Sequence, residues 1–428
     1  MKFLHLSDLH IGKSVNGFSM LDEQRHAFAQ ILAYLDSERP DAVVIAGDIY
    51  DRAVPGVEAV RVFDDFLTEL TGAGVAVMLV PGNHDSPERL SFASRLLADK
   101  RLFIFGRSGA IERVTLADEY GNVHFYLLPF VKPAMVRGLF RSAGREESEP
   151  QMSTEDAETL YNSIETLSSQ ENSGQQQDGA ASQRETIDTY GAAVSALLSS
   201  ADIDYGARNV LVSHQFYTRA GVTPERSESE LSPIGGLDAV DSGLIAGFDY
   251  AALGHLHGRQ SVGAEHIRYS GSPVKYSFSE WRQSKSVFLV ELKEKGDLTV
   301  TPLPLAALHD MREIRGELDT LLSEEISEQA DARDYLRVVL TDEDELIDPL
   351  GKLRSIYPNI MSLGFDNART QIEADSISSS IQSVETLSQY DLFCEFFLET
   401  QGSVMTAEQA EIVSGILDAG AAQEDGQA

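Results

Sequence analysis

The stretch Ala42-Val43-Val44-Ile45-Ala46-Gly47-Asp48-Ile49-Tyr50-Asp51-Arg52 decides the fold. Five apolar residues run into a glycine and then a carboxylate-rich cluster, the pattern of a strand buried on both faces that ends at a tight turn. Stretches of the same design flank it: KFLHLSDLH (2–10) comes before and VAVMLVPGNHDS (75–86) after. The segments between them, from about Asp22 to Ser37 and from Pro55 to Leu70, carry apolar residues at helical spacing. The order is strand, helix, strand, helix, strand. Each strand delivers its polar residues at its C-terminal end, where sites form in layered α/β folds.

Further strands are expected at VHFYLLPF (123–130), NVLVSHQF (209–216), YAALGHLHG (250–258), HIRYSGSP (266–273) and SVFLVEL (286–292). These extend one α/β domain over 1–305. The region 146–183 reads differently, because it contains SSQENSGQQQDGAASQ and only a short helical spacing at Leu160, Ile164 and Leu167; it is expected to be an inserted, exposed helix followed by a flexible loop. From residue 306 to about 375 the pattern is that of a small α+β domain. After a Ser-rich stretch, 384–420 holds two segments with helical spacing and strongly apolar faces, which seek a partner.

Composition narrows the function. With 42% hydrophobic and 24% charged residues the chain has the composition of a folded protein rather than a disordered one. A single cysteine, Cys394, leaves no intramolecular disulfide and no thiolate zinc cluster. The N-terminus lacks the apolar core of a signal peptide and no apolar run approaches membrane-spanning length, so a soluble, cytoplasmic protein without a membrane partner is expected. Thirty-four basic against 68 acidic residues give a net charge of -34, which opposes an autonomous polyanion-binding module. It does not oppose an enzyme whose site carries bound cations, since those reverse the local sign where a phosphate sits.

The strand ends carry the chemistry. Asp8-Leu9-His10 places two metal-ligand types two positions apart, which in extended chain brings both side chains to one side. Asp48 follows the turn glycine Gly47 and offers two oxygens to two cations. Asn83 and His84 lie in the run Gly82-Asn83-His84-Asp85 after the third such apolar run, His214 ends a fourth, and His255 and His257 flank Leu256 after a fifth. Singly, each has an ordinary reading as a helix cap, a polar turn or a structural histidine. Together, five of the ten histidines fall at predicted strand ends beside glycines or carboxylates, whereas His5, His26, His124, His266 and His309 have no such company. The set reads as a metal site, and its mixed O and N donors without thiolate favour manganese, iron or zinc of borderline hardness. Arg52 and Arg89 are candidate phosphate contacts, each equally well an exposed surface arginine, and Lys275 and Tyr276 in SPVKYSFSE (272–280) could touch a DNA backbone or merely pack.

The motif series D-x-H, GD-x-x-D-R, GNHD, SH and GHLH, in this order, resembles the calcineurin-like metallophosphoesterase superfamily. LVSHQF, PIGGLDAVD, GFDYAALGHLHG and IRYSGSPVKYSFSE narrow the resemblance to the bacterial SbcD nuclease subunits. It covers about residues 1–320 strongly and the rest more loosely. The resemblance implies a four-layer α/β/β/α sandwich, a DNA-capping α+β domain, C-terminal helices that bind an SbcC-type ATPase subunit, a homodimer within a heterotetramer, and two divalent ions, manganese. It assigns Asp8, His10, Asp48 and His257 to one ion and Asp48, Asn83, His214 and His255 to the other. His84 becomes the proton donor or transition-state stabiliser, oriented by Asp85. The implied activity is hydrolysis of DNA phosphodiesters, as a double-strand exonuclease and a single-strand or hairpin endonuclease, in recombination, replication and repair. No G-x-x-x-x-G-K-[ST] occurs, so any ATP site lies on the partner. The rival reading is a phosphomonoesterase or cyclic-nucleotide phosphodiesterase acting on a small substrate with the same metals.

Overall fold

A computed structural model describes residues 1–106, 109–146, 187–219, 224–230 and 238–368, with scattered residues between 390 and 413. The expected insertion after Glu146 and most of the expected C-terminal helices lie outside the described residues. The chain divides into two compact units, the first Met1–Arg312 and the second beginning at Glu313.

Two six-stranded sheets build the first unit. In one, the order is Leu298–Pro304, Ser286–Leu292, Lys2–Leu6, Ala42–Ala46, Ala76–Val80, Leu102–Ile104; in the other, Gln260–Val262, Ala264–Tyr269, Tyr250–Gly254, Arg208–His214, Gly121–Leu128, Glu112–Asp118. The central neighbours are parallel in both, so their C-terminal ends emerge along one edge of each sheet.

Side-chain alternation along these strands makes three apolar layers, and three apolar layers need four layers of backbone. Leu4, Leu6, Val43, Ile45, Val77 and Leu79 face helices Leu21–Glu38 and Val57–Gly72, meeting Phe28, Ile31, Val62 and Phe66. The alternate residues Phe3, Val44 and Met78 point the other way, onto Phe125, Val210, Val212 and Tyr250 of the second sheet. The outer face of that sheet, with Tyr126, Leu211, Ala251 and Leu253, is covered by Val194 and Leu197 of helix Tyr190–Ser200. The α/β/β/α sandwich expected from the sequence is therefore the observed architecture. Among the described residues, no helix is long and apolar enough to cross a membrane.

The second unit has a three-stranded sheet in the order Met311–Gly316, Tyr335–Leu340, Ile360–Phe365. Leu318, Leu336, Val338, Leu353 and Tyr357 form its core.

His5 shows how the inter-sheet layer treats a polar side chain. It is fully buried, its Nε2–H is donated to the Leu253 carbonyl at 3.1 Å, and Nδ1 accepts from the Tyr250 hydroxyl at 2.9 Å. This satisfies the neutral ring and leaves no place for a second proton. Burial, only partly offset by the Leu253 hydrogen bond, pushes its pKa down to about 3. The unfolded chain binds a proton here near the ordinary 6.5 and the folded chain does not. The stability that His5 contributes is therefore complete above pH 6.5 and is lost as pH falls toward 3. We expect the unfolding free energy, followed by urea titration, to fall across this window by at most about 1.4 kcal/mol per pH unit from this group. In His5→Asn the slope should be shallower; an identical slope would mean that His5 is charged in the folded protein.

Candidate metal centre

The ends of five parallel strands converge where the two sheets meet. The loop after Leu6 and the loop after Ala46 run side by side: Asp8 N–H donates to the Gly47 carbonyl at 3.1 Å, His10 N–H to Asp48 O at 2.9 Å and Ile11 N–H to Ile49 O at 2.9 Å. Asp8, His10 and Asp48 have φ of 53°, 42° and 49°, and His255 has φ 112°. The extended Asp8-Leu9-His10 geometry anticipated from the sequence is thus corrected to two left-handed residues around Leu9, whose side chain is buried in the helix-facing layer. Left-handed backbone at non-glycine residues costs on the order of 1–3 kcal/mol each and clusters at functional sites.

Close approach explains two glycines. A Cβ on Gly47 would lie 2.3 Å from His214 Nδ1, and one on Gly254 would lie 1.9 Å from the Ala46 carbonyl. Only a bare backbone at both lets the first sheet's loop reach the second sheet's histidine.

The donor atoms face one another. His10 Nε2 is 3.1 Å from His257 Nε2 and 3.5 Å from Asp48 Oδ2. On the other side of Asp48, His214 Nε2 is 3.4 Å from the same Oδ2 and 3.0 Å from Asn83 Oδ1, which in turn is 3.1 Å from His255 Nδ1. Asp8, His10 and His257, and likewise Asp8, Asp48 and His214, bring one potential ligand atom each within 4.8 Å of one another, as do His10, Asp48 and His84. Asp48 lies between both groups.

This donor set fits cations. His214 Nδ1 donates to the Ala46 carbonyl at 2.8 Å, so in the neutral ring Nε2 is a lone pair, and it faces two oxygen acceptors. Lone pairs aimed at one another require a proton or a metal ion between them. Burial lowers the pKa of His214, but the charge of Asp48 and its hydrogen bond outweigh this and raise it to about 9. For Asp48 itself, burial favours the neutral form, yet the surrounding His214, His10 and His84 hold it well below the usual carboxylate range. His255 is pushed down to about 3 by burial, with His214 adding to the effect, and its Nε2 is buried without a hydrogen-bond partner. The cluster is compatible with a divalent metal site.

The hydrogen bonds of Asp85 differ from those expected of a group that orients His84. His84 is positioned by other groups, since its Nδ1 donates to the Asp51 carbonyl at 2.9 Å and its backbone N–H to Asp48 Oδ1 at 2.9 Å. Asp85 instead accepts the backbone N–H groups of Ile49, Tyr50 and Gly82, each at 2.9 Å, tying the Asp48 loop to the Asn83 loop. A buried carboxylate that satisfies three backbone donors is a structural clamp.

The residues expected to contact DNA fall into two kinds. Arg52 and Arg89 are exposed, Arg52 with its guanidinium 3.8 Å from Asp51. Lys275 is largely covered, bonded to the Trp281 carbonyl at 2.7 Å and Asp310 at 2.6 Å. Tyr276 is buried, its hydroxyl donating to the Leu9 carbonyl and accepting from Gln24 at 2.9 Å. The DNA contact expected of Tyr276 gives way to a role in holding the Asp8–His10 loop. Gln24, which carries no motif in the sequence, braces that loop through the Leu9 and His10 carbonyls at 3.1 and 2.8 Å. Its only signal is a polar residue on the buried face of a helix.

Strand-end histidines and carboxylates bridged by one aspartate are the site of a metal-dependent phosphoesterase. The calcineurin-like phosphoesterase family profile matches residues 1–259, and the chain belongs to that family. A second profile, the type 5 capsule protein repressor C-terminal domain, matches residues 307–401. The chain is 30% identical over 366 residues to the SbcD component of the SbcCD nuclease of Staphylococcus epidermidis, covering 85% of each chain. It is 28% identical over 427 residues to the protein of the same name from Staphylococcus saprophyticus, covering 98% of each. The resemblance drawn from the motifs is borne out.

If Asp85 is a clamp, Asp85→Asn should place an amide N–H against backbone donors and cost about 1–3 kcal/mol in urea unfolding. Metal-free protein should show this loss, because the clamp does not need the ions. An Asp85→Asn protein of unchanged stability but reduced turnover would restore the role of orienting His84.

Proposed function

We propose that this chain is a metal-dependent DNA nuclease subunit that hydrolyses phosphodiester bonds as an exonuclease on duplex ends and an endonuclease on single strands and hairpins, serving recombination, replication and repair in the cytoplasm. The observation that carries it is Asp48 Oδ2 lying 3.5 Å from His10 Nε2 and 3.4 Å from His214 Nε2, one carboxylate shared by two donor groups. Asp8, His10, Asp48 and His257 would hold one ion; Asp48, Asn83, His214 and His255 would hold the other. Manganese suits this borderline set. When bound, such a pair supplies Lewis acidity toward a phosphoryl oxygen and an activated water.

The chain's own residues do the rest. His84 is half-buried and fixed through Nδ1–H to the Asp51 carbonyl, which leaves Nε2 as its working atom; as the imidazolium, protonated on both nitrogens, it gives the Nε2 proton to the departing oxygen as the P–O bond breaks and is left neutral. Exposed Arg52, on the loop that carries Asp48, and exposed Arg89, in the short helix Pro87–Leu90 that follows His84, are the candidates for flanking phosphates. Lys275 serves a phosphate only if it leaves Asp310.

Support for DNA over a small phosphoester comes from the relatives, whose names give a nuclease component and whose similarity extends through the second unit. Those names, which make the relatives one component of an SbcCD nuclease, support an SbcC-type partner; that this partner is an ATPase and that the complex acts on DNA are what the motif resemblance implies. The homodimer within a heterotetramer is carried over from the motif resemblance, and Val54, Val57, Phe92 and Leu96, exposed on the segments after the Asp48 and His84 loops, are available to an interface. The net charge of -34 fits a chain that leaves most of the DNA grip to that partner.

With Mn(II), the purified chain should open a hairpin DNA and leave p-nitrophenyl phosphate nearly untouched, and chelation should abolish cleavage. His84→Ala should lower the cleavage rate about 10²–10⁴-fold with DNA binding unchanged, and Asp48→Ala should lose activity with metal binding. Rapid monoester turnover with intact hairpin would assign the site to a small substrate instead.

A further inference from the structure

His257 has four polar atoms, and residues outside the metal-ligand motifs engage three of them. Its backbone N–H donates to Glu230 Oε1 at 2.7 Å. Its carbonyl accepts from Lys285 Nζ at 3.0 Å and from Ser272 N–H at 3.1 Å. Its Nδ1 lies 2.7 Å from Ser229 Oγ and 3.2 Å from Glu280 Oε1. Nε2 alone remains, facing His10 Nε2.

The direction of these bonds follows from charge. Glu280 is fully buried, with Lys285 Nζ 2.7 Å from Oε2, Tyr276 N–H donating to the same oxygen at 3.3 Å and the Ser229 hydroxyl donating to Oε1 at 2.6 Å. Ser229 spends its hydrogen on Glu280, so its oxygen can only accept from His257. Nδ1 must therefore carry the hydrogen and Nε2 the lone pair. His214, in the other donor group, is oriented by a neutral backbone carbonyl, that of Ala46. A carboxylate behind an imidazole makes it a stronger donor than a carbonyl does.

We infer that Glu280, relayed by Ser229 and counterbalanced by Lys285, is the positioning residue that makes the ion held through His257 the tighter of the two, with Glu230 fixing the same histidine's backbone. The inference rests on the two-ion reading above. Glu280 and Lys285 form a buried pair, so removing one charge strands the other and threatens the fold. Glu280→Gln/Lys285→Met removes both and keeps the volume, while Ser229 still engages Nδ1.

The test is a calorimetric titration of the metal-free full chain with Mn(II), paired with electron paramagnetic resonance to follow appearance of the spin-coupled pair. The parent should bind in two steps. In Glu280→Gln, and in the double variant if the single one unfolds, the tighter step should weaken about 10–100-fold while the other stays within about twofold of the parent, and the coupled signal should need more Mn(II). Glu280→Asp should recover part of the loss. Unchanged steps in a folded variant, or equal weakening of both, would overturn the positioning role and leave Glu280 a structural ion pair. A parent that binds no Mn(II) would overturn the two-ion reading and this role with it.

Discussion

Asp48 is a carboxylate only 2% exposed, set between imidazoles from three different segments, and it must be neutralised where water cannot reach. An isolated charge at such depth is untenable, so something positive has to sit against it. Protonated His214 can do this, which is why its pKa stands near 9. Cations can do it better, because they also satisfy the lone pairs of His10, His257 and Asn83 that otherwise confront one another. The rest of the site follows from bringing these atoms together around one buried charge.

The fold meets that demand with rigid elements and strained joints. Parallel strands from two sheets end side by side, and bare backbone at Gly47 and Gly254 lets the sheets approach until His214 reaches the Ala46 carbonyl. Four left-handed non-glycine residues at the ligand positions would relax if the loops were free. They are not free. Asp85 ties the second and third strand ends together, and Gln24 with Tyr276 braces the first. Strain at the ligands is held by hydrogen bonds just behind them, from Asp85, Gln24 and Tyr276.

That division explains what the sequence could reveal. Buried parallel strands are continuous apolar runs, so AVVIA and VAVMLV are legible without a structure, and the polar residues at their ends stand out against them. Bracing residues carry no such contrast. Gln24 is one amide in a helix of mixed polarity, Glu280 one acid among 68, and Ser229 one serine in a loop. Gln24 and Tyr276 stand 252 positions apart and Ser229 and Glu280 51, so no local period could pair them. Asp85 is visible in the sequence but misleading there, because adjacency to His84 suggests contact, whereas successive side chains on a tight turn diverge. His5 lacks polar company in the sequence for a good reason: its partners are a hydroxyl and a carbonyl on the opposite sheet.

The acidity of the chain and the nature of its chemistry are compatible for the same electrostatic reason. A surface of net charge -34 repels a polyanion at long range, but salt screens that field over roughly 8–10 Å. Buried ions act at contact distance in a low-dielectric environment, where each interaction is several times stronger than in water. That balance of fields favours acting on a phosphodiester brought to the site over capturing one from solution. Binding of the ions also favours the folded state by mass action, since the unfolded chain has no assembled donor set. The strained, charge-dense centre is therefore least stable when empty and is stabilised by the ions that its chemistry requires.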